Sequence, residues 1–518
     1  MFGRGRRKSC LCLLDRKRKG CYTGYVMHVT NEEDFMQPKC NFRVLILTVL
    51  FSLLCLGGCG KNDERMDQIK SLGREQTEEM REAEELSIPG TEEMPEQKKT
   101  KAEQLKREQA FSRILEYCTK EFIGYHVLDC TFLRWLSFEY GDECIEKIAD
   151  AVEAGNQDPD IWYELTGNTI HVLWLLYCER TGFQHYQLEN VKWQSCASSG
   201  KTTFAFTGDI NFSEGYSTTR HLDSCANGIY DCFSDDLLAR MNEADVMMIN
   251  NEFTYSTRGE ALQGKAYTFR ADPKRAGLLN VFGTDIVNLA NNHVYDFGPD
   301  ALLDTIDTLD KEEIPHVGAG ANIEEASKPY YFVCNGRKIA IVAATQIERS
   351  LNYTKEATET EPGVLKTLSP DKFVKVIQSA KKNSDIVIAV VHWGTEGDSN
   401  YGRDQQNLAK EFVKAGADAI IGGHTHCLQG FEIMDGVPVI YSLGNFWFSS
   451  STLDTGLAEI TIDENGELAL GFVPCIQKNF RTSLVTEESE KQRIFDLMQR
   501  HSASGVVIGE DGILRQEN

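Results

Sequence analysis

The sequence predicts an α/β fold over residues 200–450, with β-sheets layered between flanking helices, preceded by a small helical domain over residues 109–190. Three observations carry this reading. Beyond residue 200, short β-rich runs alternate with helical stretches, the pattern of an α/β domain. Five of the β-rich runs end in Asp, Glu, Asn or His. Between residues 111 and 183 the apolar residues fall instead at helical spacing.

The helical segment shows this spacing in Ile114, Leu115, Cys118 and Phe122, and again in Ile161, Trp162, Leu165, Ile170, Leu173, Trp174 and Tyr177. Its aromatic stripe reads as core rather than as a cofactor site. After a linker at 195–200, the β-rich runs are 202–207, 246–250, 286–289, 339–344, 386–392, 419–421 and 437–442, and the helical stretches include 301–311, 371–382 and 405–415. Residues 451–518 are expected to add C-terminal strands and a tail.

The N-terminal region reads differently. Residues 44–56, VLILTVLFSLLCL, form an apolar run flanked by Lys39 and Arg43 on one side and by Gly57, Gly58 and Cys59 on the other. That run is shorter than the roughly 20 residues a spanning helix needs, so 1–59 reads as an N-terminal tail with a signal peptide. Leu56-Gly57-Gly58-Cys59 resembles the lipobox of bacterial lipoproteins, whose cysteine is acylated; an uncleaved anchor is the competing reading. Met36 is a candidate start, and alternatively the basic residues 16–19 belong to a cytoplasmic tail. Either arrangement places the rest of the chain on the extracellular face of the cell membrane. Residues 60–108, rich in Glu, Lys, Gln and Arg, read as a flexible charged tether.

With 518 residues and 41% hydrophobic side chains, the chain is long enough for two or three domains with real cores. Its net charge of −24 argues against a nucleic-acid partner, because a phosphate backbone would be repelled. The 16 cysteines do not define the redox compartment, since several precede Cys59.

In open α/β sheets ligands gather where loops leave the carboxyl ends of strands. Here those exits read Gly208-Asp209-Ile210-Asn211, Asn250-Asn251-Glu252, Ala290-Asn291-Asn292-His293, His392-Trp393-Gly394 and Gly422-Gly423-His424-Thr425-His426. Imidazole and carboxylate together suit Zn, Mn or Fe, and one residue between His424 and His426 lets both side chains of an extended segment face one way. Singly, Asp209 and Asn292 read as turn caps and His392 as a core histidine beside Trp393. Five such exits in order make a metal site the stronger reading.

In this order the motifs resemble the CapA family of poly-gamma-glutamate capsule biosynthesis proteins, itself similar to calcineurin-like metallophosphoesterases. The stretches NLANNHVYDFG (288–298) and PVIYSLGNFWF (438–448) carry the same resemblance. It implies a metallophosphoesterase-like layered sandwich holding one or two divalent ions (Mn, Zn or Fe). Glu252, Asn292, His392 and His424 would hold one; Asp209, His426 and the shared Glu252 would hold the other. His293, oriented by Asp296, would stabilise or protonate a leaving group. Two departures stand out: Asn211 occupies a position where phosphoesterases usually have histidine, and Glu252 replaces a bridging aspartate, so the second site is expected to be the weaker.

The resemblance implies participation in poly-gamma-glutamate (capsule) synthesis or export, with an anionic surface polymer as substrate and a capsule synthesis membrane complex as partner. The ligand set alone implies a secreted metal-dependent phosphoester hydrolase, and Asn211 leaves room for a binding protein with an inactive site. Elsewhere, Gly318-Ala319-Gly320 reads as a loop without a nucleotide fingerprint. Arg270 and Arg349 are candidate anion clamps or solvated surface residues. Cys427 is a metal-sensing thiol or, more simply, a pocket wall. Cys225 and Cys232 either form a loop disulfide or do not.

Overall fold

The computed structural model describes residues 101–121, 130–154, 160–182, 190–347 and 353–517. The apolar run 44–56, Met36, Cys59, most of the tether, Phe122 and Arg349 lie outside the described residues.

The helical segment begins earlier than its composition suggests. Helix α1 (Lys101–Glu121) takes in the last eight residues assigned to the tether, and through Ala110, Phe111 and Ile114 it joins an aromatic core. Helices α2 (Cys130–Tyr140), α3 (Asp142–Glu153), α4 (Asp160–Thr166) and α5 (Ile170–Thr181) complete this core. In α3 the buried Cys144, Ile145, Ile148, Ala149 and Val152 repeat at the three- and four-residue spacing of one helix face. Phe132, Trp135, Trp174 and Tyr177 pack at ring-centroid distances of 5.4–5.9 Å, so the aromatic stripe is core.

Two sheets form the main body. The first contains β1 (Val191–Trp193), β6 (Tyr330–Cys334), β7 (Arg337–Thr345), β8 (Ile386–His392), β9 (Ala419–Gly423), β10 (Phe431–Met434) and β11 (Val437–Ile440), in the order β1-β6-β7-β8-β9-β11-β10. The second contains β2 (Lys201–Ile210), β3 (Val246–Asn251), β4 (Thr284–Asn288), β5 (His316–Val317), β13 (Leu453–Asp463), β14 (Leu468–Lys478) and β15 (Arg481–Leu484). Its order is β15-β14-β13-β2-β3-β4-β5, with β12 (Asn445–Trp447) pairing β2.

Alternation along the strands sorts the core into layers, because successive side chains point to opposite faces. Phe204, Phe206, Val246, Met248 and Ile286 of one sheet meet Ile339, Ile341, Ile388, Val390 and Ile421 of the other. The opposite face of the second sheet, with Ala205, Met247, Ile249 and Val287, packs on α7 (Asp235–Glu243) and α8 (Pro299–Lys311) through Leu237, Met241, Leu302 and Leu309. The outer face of the first, with Ala340, Val342, Val387, Ala389 and Ile420, packs on α9 (Asp371–Lys382) and α10 (Arg403–Ala415) through Phe373, Ile377 and Phe412. The result is a four-layer α/β/β/α sandwich, and the fold class expected from the sequence is borne out. Covering on both faces is what the near-continuous apolar runs of parallel strands require.

Residue 450 is no break in this fold. Strand β13 pairs antiparallel with β2 over seven residues, Leu457 opposite Thr207 through Asp463 opposite Lys201, so the C-terminal strands complete the second sheet. The helical segment also adheres to the body: Val172 and Leu175 of α5 pack on Val333, and the Thr169 hydroxyl donates to Asp385 Oδ2 at 2.8 Å. No helix among the described residues is long and apolar enough to cross a membrane.

Candidate metal centre

Five strands deliver the predicted side chains to one place. β2, β3 and β4 run parallel in one sheet, and β8 and β9 run parallel in the other. Asp209, Glu252, Asn292, His392, His424 and His426 stand at or just past their carboxyl ends. Close approach of the connecting loops depends on glycine. A Cβ on Gly208 would lie 2.0 Å from the Gly444 carbonyl oxygen, which accepts the Asp209 amide at 2.9 Å.

The exit of β9 is strained. His424 and His426 have φ of 95° and 59°, in the left-handed region that side chains larger than glycine seldom adopt. The buried Thr425 between them fixes the turn: its hydroxyl donates to the Cys427 carbonyl at 2.8 Å and lies within hydrogen-bond distance of Ser442 Oγ at 2.9 Å. In this conformation the two rings lie 6.0 Å apart, and His424 faces His392. The sequence expectation that an extended segment aims both imidazoles one way is therefore met by a kinked one.

Around His392 Nε2 lie Asn292 Oδ1 at 2.8 Å, His424 Nδ1 at 3.1 Å and Glu252 Oε1 at 3.3 Å. Ligands about 2.1 Å from a tetrahedral ion are about 3.4 Å apart, so these four atoms need little movement to enclose one. The second group is Asp209, Glu252 and His426, whose ligand-type atoms all lie within 4.8 Å of one another, as do those of Glu252, His392 and His424. His426 Nδ1 is 3.2 Å from Asp209 Oδ2 and 2.8 Å from Asn445 Oδ1.

Electrostatics supply the test of fit. Glu252 is 0% exposed, and neither carboxylate oxygen has a hydrogen-bond partner. Such a group costs free energy unless something cationic meets it. Burial, with the Asp209 charge beside it, pushes the Glu252 carboxyl well above its usual range. Burial would raise Asp209 too, but the hydrogen bond and charge of His426 hold it below its ordinary value. Burial drives His392 down to about 3, leaving a neutral imidazole with a lone pair to offer. His426 is opposed by burial, yet Asp209 and Glu252 push it up to about 10. The set of Glu252, His392 and His424 thus carries an excess of ligand capacity that a divalent ion would satisfy, whereas at the second an ion would first displace the proton that His426 holds against Asp209.

His293 sits beside the ligands. Its Nε2 is 4.0 Å from Glu252 Oε1, and its Nδ1 lies 2.7 Å from Asp296 Oδ2. Asp296 is itself fixed by the Phe269 amide at 2.7 Å and by the Lys265 ammonium, which also donates to the Asn292 carbonyl. Burial lowers the His293 pKa against the opposing pull of Asp296. Phe269 and Phe448 form an apolar wall, their rings 4.2 Å from His293 and 5.0 Å from His426 respectively.

Several supporting residues were not singled out from the sequence. Asn288 donates to Asn250 Oδ1 at 2.9 Å, and Asn250 donates to Asp209 Oδ1 at 2.6 Å, a chain that orients the carboxylate. Both asparagines lie inside motifs already quoted, whereas Lys265 stands in a polar loop that offered no signal. Asn211 is buried, and its side-chain oxygen accepts the Ser213 amide at 2.7 Å, so it serves a turn. Arg270 stacks on Phe297 at 4.1 Å and donates to the Arg258 and Gly259 carbonyls, which makes it a loop brace rather than an anion clamp. Cys427 Sγ is 3.7 Å from Thr425 Oγ1, consistent with a wall position. Ala319 and Gly320 form a two-residue strand paired with Gly363 and Val364. Cys225 and Cys232 are free thiols, so the loop disulfide is not formed.

Fold and site together define a four-layer α/β/β/α protein with metal-ligand-type side chains clustered at its strand ends. Residues 203–450 match the family of bacterial capsule synthesis protein PGA_cap, in line with the CapA resemblance of the motifs. The chain is 33% identical over 232 residues to the capsule biosynthesis protein CapA of Bacillus anthracis, covering 43% of this chain and 56% of that protein. It is 34% identical over 212 residues to the PGA biosynthesis protein CapA of Bacillus subtilis (strain 168), covering 40% and 55%. The chain thus spans little more than half the length of these relatives. Among solved structures, a 5'-nucleotidase from Candida albicans SC5314 overlaps 54% of this chain and 52% of its own, at 11% identity and a TM-score of 0.31.

Proposed function

We propose that this chain takes part in poly-gamma-glutamate capsule synthesis or export at the cell surface, through a divalent metal site in its 203–450 domain. The observation that carries the metal reading is Glu252, buried with both oxygens unpartnered between two sets of imidazole and carboxylate ligands. The CapA relatives support the capsule assignment. Glu252, Asn292, His392 and His424 would hold one ion, and Asp209, His426 and Glu252 a second. When bound, such ions supply Lewis acidity and an activated water. The chain's own contribution is to position His293 through Asp296 and Lys265 for proton transfer, and to exclude water along Phe269 and Phe448.

The His293–Asp296 pair beside the ligands favours a second reading, a metal-dependent phosphoester hydrolase, since a pure binding site has no use for an oriented acid–base imidazole. Hydrolysis of a phosphoester by wild type but not by His293→Ala would favour it over capsule work.

With Asn211 engaged in its turn, the second site keeps three strong ligands against four at the first. Protein dialysed against metal-free buffer is therefore expected to hold nearer one equivalent of metal than two, and His392→Ala nearer none. In a strain lacking its CapA-type protein, wild type should restore surface poly-gamma-glutamate and His392→Ala should not. Full polymer production by a His392→Ala protein shown to be metal-free would refute the reading.

We also propose a lipid anchor at Cys59, supported by the short apolar run and Leu56-Gly57-Gly58-Cys59. Labelled fatty acid should enter the wild type and not Cys59→Ala; an intact mass showing an unmodified chain that retains residues 44–56 contradicts the anchor.

A further inference from the structure

Away from the strand ends, three side chains of metal-binding type meet near the surface. Helix α6 (Ser217–Ser224) carries His221 in its last turn, and Cys225 follows as its cap, four residues on and so on the same helix face. A short 3₁₀ turn (Gly228–Asp231) then brings back Cys232, which is fully buried. The imidazole nitrogen and the two sulfurs lie within 4.8 Å of one another. None of the three belongs to the groups around Glu252.

We propose that His221, Cys225 and Cys232 form a separate site for a thiophilic divalent ion of the zinc class, with a fourth position left to water. Two thiols alone would suit a disulfide equally well. The imidazole is what favours an ion, because it has no part in a disulfide yet completes a three-ligand N/S set. Its ring is held by stacking on Phe480, at 4.8 Å between centroids and 19° between planes, which leaves the ring edge for coordination. The carbonyl end of α6 points its negative pole toward the same place and favours a cation there. Binding would release the two thiol protons to solvent and leave two thiolates on the ion.

The site would serve as a staple. Thr482 donates its amide to the Cys232 carbonyl at 2.9 Å, and Ser234 donates to Thr482 at 3.0 Å, so the cluster already borders β15. The Phe480 carbonyl accepts Trp447 Nε1 at 2.7 Å, and the Trp447 carbonyl accepts the Asn211 amide at 3.1 Å. An ion at His221 would thus tie the segment after Asp209 to the C-terminal strands.

Cobalt(II) tests this in the reduced full-length protein, since sulfur-to-cobalt charge transfer absorbs in the near ultraviolet and the Glu252 groups contain no sulfur. The absorption should appear in wild type and in His392→Ala, and vanish in Cys225→Ser. His221→Ala, a change at a partly buried position, should weaken zinc binding at this site by more than the roughly tenfold that loss of an outer hydrogen bond costs. The proposal is overturned if the reduced, folded protein shows no such absorption, or if the absorption survives Cys225→Ser. It is equally overturned if His221→Ala leaves zinc affinity unchanged.

Discussion

Glu252→Gln is expected to lower metal affinity more than 100-fold while making the metal-free protein more stable. The two effects share one cause. Glu252 is the single carboxylate common to both ligand groups, so its loss removes the negative charge that would draw both ions. Loss of one outer hydrogen-bonding partner alone costs about 10- to 100-fold in affinity, and loss of a shared ligand should exceed that. In the metal-free protein, however, the carboxyl is buried with neither oxygen hydrogen-bonded, and a neutral amide of the same shape removes the cost of ionising it there, about 2 kcal/mol where pH exceeds its raised pKa.

The pH dependence follows from the raised Glu252 pKa. A carboxyl raised in the folded state favours folding below its unfolded pKa, and that contribution is lost as pH rises through the folded value. The advantage of Glu252→Gln should therefore shrink in acid, where the wild-type carboxyl is protonated. Denaturation curves in chelator at neutral and acidic pH, with metal analysis of the same samples, check both halves. A variant that keeps its metal, or is less stable than wild type without it, would contradict the assignment.

Lys338→Met should stabilise the protein by about 2 kcal/mol at pH 7 and by almost nothing near pH 10.5. Lys338 is 0% exposed on β7, with its ammonium 4.2 Å from the Tyr331 ring centroid. Burial, opposed by the Asp385 charge, drives its pKa down to about 8. An unfolded lysine titrates near 10.4, so between these values the unfolded chain binds the extra proton and folding strengthens as pH rises. Below pH 8 the folded protein must carry a buried ammonium, a penalty that a methionine of similar length avoids. Urea titrations across pH 7–10.5 would show the gain converging to zero. A constant difference, or a destabilised variant, would mean that the ammonium is better solvated than its burial implies.

Much of this was legible in the sequence, for physical reasons that also mark where legibility stopped. Strand β8 and helix α9 occupy the very residues predicted for them, because a strand covered on both faces is an unbroken apolar run and α9 keeps one apolar stripe. The six ligand-type residues were readable since parallel strands in two stacked sheets bring their carboxyl ends to one edge. Lys265 was not, because it reaches Asp296 and the Asn292 carbonyl from a loop whose path no periodicity encodes. Helix α1 was hidden behind Glu103, Lys106 and Arg107, charges that cover all but the narrow stripe of Ala110, Phe111 and Ile114. The free thiols at 225 and 232 could not be told from a disulfide by spacing, since bond formation depends on Cβ geometry.

The pairing of β2 with β13 also has a consequence for how the chain comes to fold. Leu457 leaves the ribosome about 250 residues after its partner Thr207. At about 5–20 residues per second, that leaves one edge of the central strand open for on the order of tens of seconds. During that interval β2 can pair with β3 on one side, while its other side presents unsatisfied amides to any passing strand. Closure of the second sheet is thus a late, long-range event, and nascent-chain protection matters most for β2, the strand that carries Asp209.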